Sequence, residues 1–133
     1  MKKVTAAVIV ESGRLFIARR QHGDPLGGLW ELPGGKVEPG ETFQVCLARE
    51  LIEEFGMATE IGEVVAKTVY HYDHGSFELF ALLTRRLSDF ELLVHDECAW
   101  ADSNTISRYP LAPADVELVV QLLQLGNVFL PGW

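Results

Sequence analysis

Gly35-Lys36-Val37-Glu38-Pro39-Gly40-Glu41-Thr42-Phe43-Gln44-Val45-Cys46-Leu47-Ala48-Arg49-Glu50-Leu51-Ile52-Glu53-Glu54-Phe55-Gly56-Met57 reads as a glycine-opened turn that runs into one amphipathic helix. Phe43, Leu47, Leu51 and Phe55 recur every four residues, with Val45, Cys46, Ala48 and Ile52 widening the apolar stripe, so residues 42–55 are predicted to be helical. Glu41 or Thr42 can cap the start, and Gly56 stands where a left-handed glycine ends many helices.

Glu50, Glu53 and Glu54 share this helix, and at 100° per residue they fall within an arc of about 100°. An ordinary solvated face can look like this, but three details argue otherwise. Glu53 and Glu54 lie in the last turn, where carboxylates oppose the helix dipole by ~0.3–1 kcal/mol each. Glu50 and Glu54 form a like-charged i,i+4 pair, and Arg49 precedes Glu53 in the weaker orientation for an ion pair. Such an arrangement suits hard oxygen ligands for Mg²⁺ or Mn²⁺ better than it suits helix stability. Just upstream, Pro33-Gly34-Gly35-Lys36 is expected to be a tight loop where backbone can approach a ligand. There the Gly34 carbonyl can complete a metal shell and Lys36 can meet phosphate oxygens.

Outward from this centre, residues 4–10 read as a buried strand, Glu11-Ser12-Gly13 as a turn and residues 14–19 as its hairpin partner. Residues 21–28 form a loop, and Leu29-Trp30-Glu31-Leu32 a short strand. Residues 63–72 and 76–85 are strands joined through Asp73-His74-Gly75, residues 97–101 are another, and residues 104–108 a helical turn. Residues 113–125 are a second amphipathic helix, with Val116, Val119, Val120 and Leu123 expected on one face. Strands interleaved with two unequal helices predict a mixed α+β sandwich.

The chain length of 133 residues fits one domain spanning 1–133, and 48% hydrophobic residues can build a core without disulfides. Cys46 and Cys98 are too few and too far apart for a disulfide framework or zinc site; Cys46 reads as a buried free thiol, which suits a reducing compartment. The apolar run at residues 4–10 is too short for a signal segment or membrane span, so a cytoplasmic protein is expected. A net charge of −8 argues against binding a nucleic acid polymer. It allows a nucleotide substrate if divalent cations stand between the two sets of negative charges. Nothing in the sequence chooses between a monomer and a homodimer. The end Val128-Phe129-Leu130-Pro131-Gly132-Trp133 is unusually apolar and is expected to pack on its own domain rather than on a partner.

Gly35, five residues, Glu41, seven residues, then Arg49-Glu50-Leu51-Ile52-Glu53-Glu54-Phe55-Gly56-Met57 matches the Nudix box at every fixed position over 23 residues. The chain therefore resembles the Nudix hydrolase superfamily, in its MutT-like branch. Gly28-Leu29-Trp30-Glu31, Gly35-Lys36-Val37-Glu38-Pro39 and Tyr109-Pro110-Leu111-Ala112-Pro113-Ala114-Asp115 are similar to the bacterial CTP pyrophosphohydrolase type. The resemblance implies an α/β/α sandwich around a mixed sheet. By matched position it implies Glu50, Glu53 and Glu54 as metal ligands with the Gly34 carbonyl, and Glu50 as a general base acting through water. It further implies that Arg49 orients the glutamates, that Glu41 supports them, and that Arg20 and Lys36 contact phosphate. A plain reading of Arg19 and Arg20 is a solvated strand end.

The implied reaction is Mg²⁺-dependent hydrolysis of a nucleoside triphosphate to monophosphate and pyrophosphate, by water attack on the β-phosphorus. Asp115 stands where the MutT pattern has an Asn that reads oxidised guanine. It is either a helix-start acid or a base contact. An ionised Asp only accepts hydrogen bonds, which suits the cytosine amine and repels guanine O6 unless an apolar pocket protonates it. Cytosine triphosphates, including modified ones, are thus the expected substrates. The alternatives are 8-oxo-dGTP in nucleotide-pool sanitation, dihydroneopterin triphosphate, a dinucleotide such as ADP-ribose, and a non-catalytic nucleotide sensor; sensors tend to lose box glutamates, and this chain keeps them. One position departs from the pattern. Relatives often place a metal-binding Glu, followed by His, six residues before a Trp; here Val94 holds that place before Trp100, leaving Asp96 or Glu97 to substitute or the ligand missing.

Overall fold

Alternation along the first strand assigns each helix its side of the structure. In the computed structural model, which describes residues 1–126, β1 (Lys2–Val8) sends Ala6 and Val8 to one side and Ala7 to the other. β3 (Arg14–Arg19) does the same, with Leu15 and Ile17 joining Ala6 while Phe16 and Ala18 join Ala7. The first side is covered by α2 (Pro113–Leu125) through Leu118, Val119 and Leu122. The second is covered by α1 (Phe43–Phe55) through Leu47, Leu51 and Phe55. The result is the expected α/β/α layering, and it belongs to the α+β class.

The strands divide into two sheets. In the first, β1 lies between β5 (Gly34–Lys36), antiparallel, and β7 (Gly75–Arg86), parallel; β6 (Thr59–Tyr72) pairs antiparallel with β7. In the second, β3 is paired along one edge by β2 (Val10–Glu11) and β4 (Trp30–Glu31), and along the other by β8 (Glu97–Ala101), all antiparallel. A 3-10 turn at Ile106–Arg108 leads into α2. Among the described residues, no helix is long and apolar enough to cross a membrane.

Several expectations need correction. Pro33-Gly34-Gly35-Lys36 is not a loop: Gly34–Lys36 is a strand, laid against β1 so closely that a Cβ on Gly34 would stand 1.9 Å from the Thr5 carbonyl oxygen. On α1, Val45 and Ile52 are exposed, so the buried stripe is the narrower one of Cys46, Leu47, Leu51 and Phe55. On α2, Val116, Val120 and Leu123 face outward, and of the four residues expected inside only Val119 is buried. β6 starts at Thr59 and carries two register shifts, between Ile61 and Val64 and between Val64 and Ala66. The apolar segment 128–133 lies outside the described residues.

Packing outweighs the electrostatic penalty on α1. Burying a Leu or Phe is worth ~1.5–3 kcal/mol, and Leu47, Leu51 and Phe55 are all fully buried. Opposing the dipole costs only ~0.3–1 kcal/mol per carboxylate. Thr42 caps the start, its hydroxyl accepting from the Val45 N–H at 3.1 Å, and Gly56 ends the helix at φ 60°. Cys46 is a buried free thiol, as expected.

Candidate active site

A cavity of about 760 Å³ opens on the α2 side of the first sheet, a size typical of small-molecule sites. Gly34, Gly35, Lys36 and Glu54 line one end, and Arg20, Glu31 and Asp115 also border it. Of the residues singled out from sequence, the fold thus gathers Gly34, Lys36, Glu54, Arg20 and Asp115 around one space. Glu50, Glu53, Arg49 and Glu41 stand beside it as a separate ion-paired group.

That group is centred on Arg49. Its Nε and Nη2 donate to Glu41 at 2.7 and 2.9 Å, Nη1 donates to Glu50 at 3.0 Å, and the exposed Glu53 is held at 3.3 Å. Glu41 also accepts from the Glu38 N–H at 2.8 Å. The bond from Arg49, aided by that amide, holds the Glu41 carboxyl at about 2. Glu50 is raised instead, because burial outweighs the pull of Arg49. The reason it fits is Gly35: a Cβ there would stand 2.2 Å from the Glu50 carboxyl carbon.

The backbone of β5 is oriented for a cation. Val37 N–H donates to the Lys3 carbonyl and Ala7 N–H to the Pro33 carbonyl, so the alternation of an antiparallel pair puts Gly35 against Thr5 and turns the Gly34 and Lys36 carbonyls to the free edge. The Lys36 carbonyl there accepts from Arg49 Nη2 at 3.2 Å.

Glu54 carries the strongest sign of a missing partner. Its Oε1 is buried with no hydrogen bond, and burial pushes its pKa up to about 7, against a smaller opposing pull from His95. Among the described residues no three His, Cys, Asp or Glu side chains already form a metal cage. The donor set nonetheless fits a divalent cation. It offers an orphaned carboxylate oxygen, a raised carboxylate seated on a glycine and an outward carbonyl, all hard oxygen donors.

Two residues with no role assigned from sequence belong here. Glu31 accepts from Arg20 Nη1 at 2.9 Å and bonds His95 Nε2 at 2.9 Å through its other oxygen. The signal for Glu31 was a charged residue flanked by the apolar Trp30 and Leu32, three positions before Gly34. Buried His95 stacks on Phe55, with ring centroids 5.1 Å apart. Arg20 is also gripped by Asp24 at 2.9 Å, whereas Arg19 pairs with Glu97 at 3.1 Å.

Neither candidate for the Val94 position reaches the cavity: Asp96 accepts from the His22 N–H at 2.9 Å, and Glu97 is spent on Arg19. Val94 itself is on the cavity wall, 44% exposed. The preceding loop is hydrogen-bonded to the end of α1 through main chain, Glu91 N–H to the Phe55 carbonyl at 3.0 Å and Leu93 N–H to the Glu54 carbonyl at 3.1 Å, and Phe90 packs edge-on against Phe55. Asp115 is buried at the start of α2, accepting from the Leu32 N–H at 3.1 Å, and burial raises its pKa to about 7.

An acid-bearing helix set against a glycine-rich edge strand, in an α/β/α sandwich, defines a class of phosphate-anhydride hydrolases. The sequence profile of the NUDIX domain matches residues 1–122, and the chain belongs to the Nudix family. It is 37% identical to the CTP pyrophosphohydrolase of Escherichia coli strain K12 over 94% of this chain and 93% of that protein. It is 27% identical to the 8-oxo-dGTP diphosphatase of Haemophilus influenzae over 96% of each. The solution structure of the E. coli ORF135 protein superposes with a TM-score of 0.86 at 34% identity, covering 95% of this chain and 91% of that one. The MutT protein from Methanosarcina mazei Go1 superposes at 0.80 with 25% identity, covering 95% and 94%. The chain is thus a Nudix hydrolase of the MutT type.

Proposed function

We propose that this protein hydrolyses nucleoside triphosphates to the monophosphate and pyrophosphate, with cytosine triphosphates preferred. The observation that carries the reading is Glu54, a half-buried carboxylate with a buried, unpartnered Oε1 on the wall of a nucleotide-sized cavity. The relatives named as a CTP pyrophosphohydrolase and an 8-oxo-dGTP diphosphatase support the substrate class.

Glu50, Glu53, Glu54 and the Gly34 carbonyl are the proposed ligands of Mg²⁺ or Mn²⁺. Such a cation supplies neutralisation of triphosphate charge and a lowered pKa for water. Glu50, raised by burial, accepts the proton of the attacking water. Arg49 holds Glu50 and Glu53 in place, and Glu41 holds Arg49. Lys36 and Arg20 bind phosphate oxygens; Arg20 keeps an Nη1 hydrogen for this beyond its bonds to Asp24 and Glu31.

Asp115 reads the base. As a carboxylate it accepts from the cytosine amine; once protonated it gains a donor, which is what guanine O6 needs. With its pKa near 7, it gives the 8-oxo-dGTP reading a specific foothold at lower pH. The deciding assay incubates the pure protein with a panel of triphosphates and Mg²⁺ and scores pyrophosphate. CTP or a modified dCTP should lead the panel, and activity should vanish in excess chelator. Undiminished turnover in chelator refutes the metal role, and pyrophosphate from none of the panel refutes the function.

A further inference from the structure

A chain of polar contacts behind Arg20 has no part in the chemistry above. Arg20 follows the last residue of β3, Glu31 ends β4 on one edge of that strand, and His95 lies just before β8 on the other edge. Glu31 stands between the two side chains: Oε1 accepts from Arg20 Nη1 at 2.9 Å, and Oε2 from His95 Nε2 at 2.9 Å. An ionised carboxylate only accepts, so the hydrogen of the second contact is carried by Nε2. His95 Nδ1 is buried without a partner, so the bond to Glu31 and the stacking on Phe55, with planes 11° apart, orient the imidazole.

The three side chains meet solvent unequally. Arg20 is 31% exposed, Glu31 14% and His95 3%, so Arg20 can touch a ligand while the other two act through it. Burial of such a pair is weak evidence of a stabilising role, since well-packed apolar side chains often serve as well. Its geometry has a different consequence. Arginine and carboxylate favour a two-point grip, and Asp24 already holds Nε and Nη2 of Arg20 in that way. Glu31 makes one bond to Arg20, and its second oxygen is held by His95. The Nη1 hydrogen left over is the one available to a phosphate oxygen.

We propose that His95 is a positioning residue for phosphate binding: by holding Glu31 Oε2 it keeps Glu31 to one bond with Arg20 and leaves the second Nη1 hydrogen to the triphosphate. Without that hold, Oε2 is free to turn onto the same hydrogen and compete with the ligand. Phe55 is the link to α1. The ring that orients His95 is next in sequence to Glu54, so the helix proposed to carry the metal also governs the arginine proposed to bind phosphate. This inference rests on the phosphate-binding role given to Arg20 in the nucleoside triphosphate reading above.

A double-mutant cycle tests it. His95→Phe keeps a ring against Phe55 and removes the donor. It should raise KM for CTP and GTP alike by about tenfold, the scale of one hydrogen bond to a charged group, with kcat lowered less than KM is raised. His95→Gln, whose amide can offer an N–H to Glu31, should restore KM. In an Arg20→Ala background, His95→Phe should change KM by no more than about twofold, because the residue it acts through is gone. The same rise in both backgrounds, or a folded His95→Phe whose KM is unaltered, overturns the proposal. Should that variant not fold, ¹⁵N NMR of the wild-type imidazole decides: hydrogen on Nε2 upholds the contact with Glu31, and a ring protonated on Nδ1 alone overturns it. Arg20→Ala with a wild-type KM, or a wild-type protein that hydrolyses no nucleoside triphosphate, overturns the reading on which the proposal rests.

Discussion

Asp115 shows how far one side chain's surroundings can alter its chemistry. On paper it is an acid at a helix start, favoured by the dipole. In the fold it is buried, bonded to the Leu32 N–H, and raised to about 7. The native protein therefore keeps a proton there that the unfolded chain releases near the ordinary carboxylate value of about 4. This contribution to stability is complete below that value and is lost as pH rises through 7. Asn in its place can still accept from Leu32 and never ionises. Asp115→Asn should thus raise the melting temperature more at pH 8 than at pH 5, read by thermal denaturation. It should also move the kcat/KM ratio from CTP toward 8-oxo-dGTP by ~1–3 kcal/mol at pH 8, with a smaller effect at pH 6 where the wild type is already protonated. A ratio within twofold of wild type at both pH values would reduce Asp115 to a helix cap.

At the scale of elements, α1 carries its acids against its own stability. Glu54 lies in the last turn, half-buried and with its buried Oε1 unpartnered, and its raised pKa marks the cost of ionising there. Glu54→Gln should keep or raise the melting temperature without metal and still lower kcat by at least ~10²-fold, as loss of a metal ligand does. Near-normal turnover would remove Glu54 from the site. α1 was legible in sequence because its apolar repeat, its cap and its glycine stop agree on one answer. The facing of α2 was not. Val116, Leu118, Val119, Val120, Leu122, Leu123 and Leu125 surround that helix with apolar side chains, so periodicity cannot choose the inner face. The choice is made by contact with β6, whose inward Ala66 leaves room for Leu118, Val119 and Leu122. Gly34–Lys36 misled for a related reason. Glycine pairs speak for turns in general, and only the tertiary neighbours Thr5 and Glu50 reveal that the missing side chains serve close approach. Glu31 and His95 went unassigned because their pairing spans 64 positions of chain.

The whole molecule bears a net charge of −8 and concentrates raised carboxyls, Glu50, Glu54 and Asp115, around one region. A cation that binds there stabilises the folded state by mass action. At pH 6 it must first displace the proton from Glu54, whereas at pH 8 the carboxylate is already free. The rise in melting temperature on adding Mg²⁺ should therefore be larger at pH 8 than at pH 6, and Glu54→Gln should shrink it. An equal rise at both pH values would separate metal binding from Glu54 ionisation.

The two amides that tie the loop before His95 to the last turn of α1 have a consequence for how this chain can drift over generations. Glu91 and Leu93 reach the Phe55 and Glu54 carbonyls with main-chain N–H groups, and the side chains of Leu92, Leu93 and Val94 remain exposed. Natural selection acting on that tie cannot see side-chain identity. Mutation can rewrite the side chains at positions 91–93 without loosening the tie, so long as proline, which has no N–H, stays out of positions 91 and 93, whereas Val94 stands on the cavity wall and answers to what the cavity holds. A stretch bordering α1 can therefore diverge early among descendants while the acids beside it hold still.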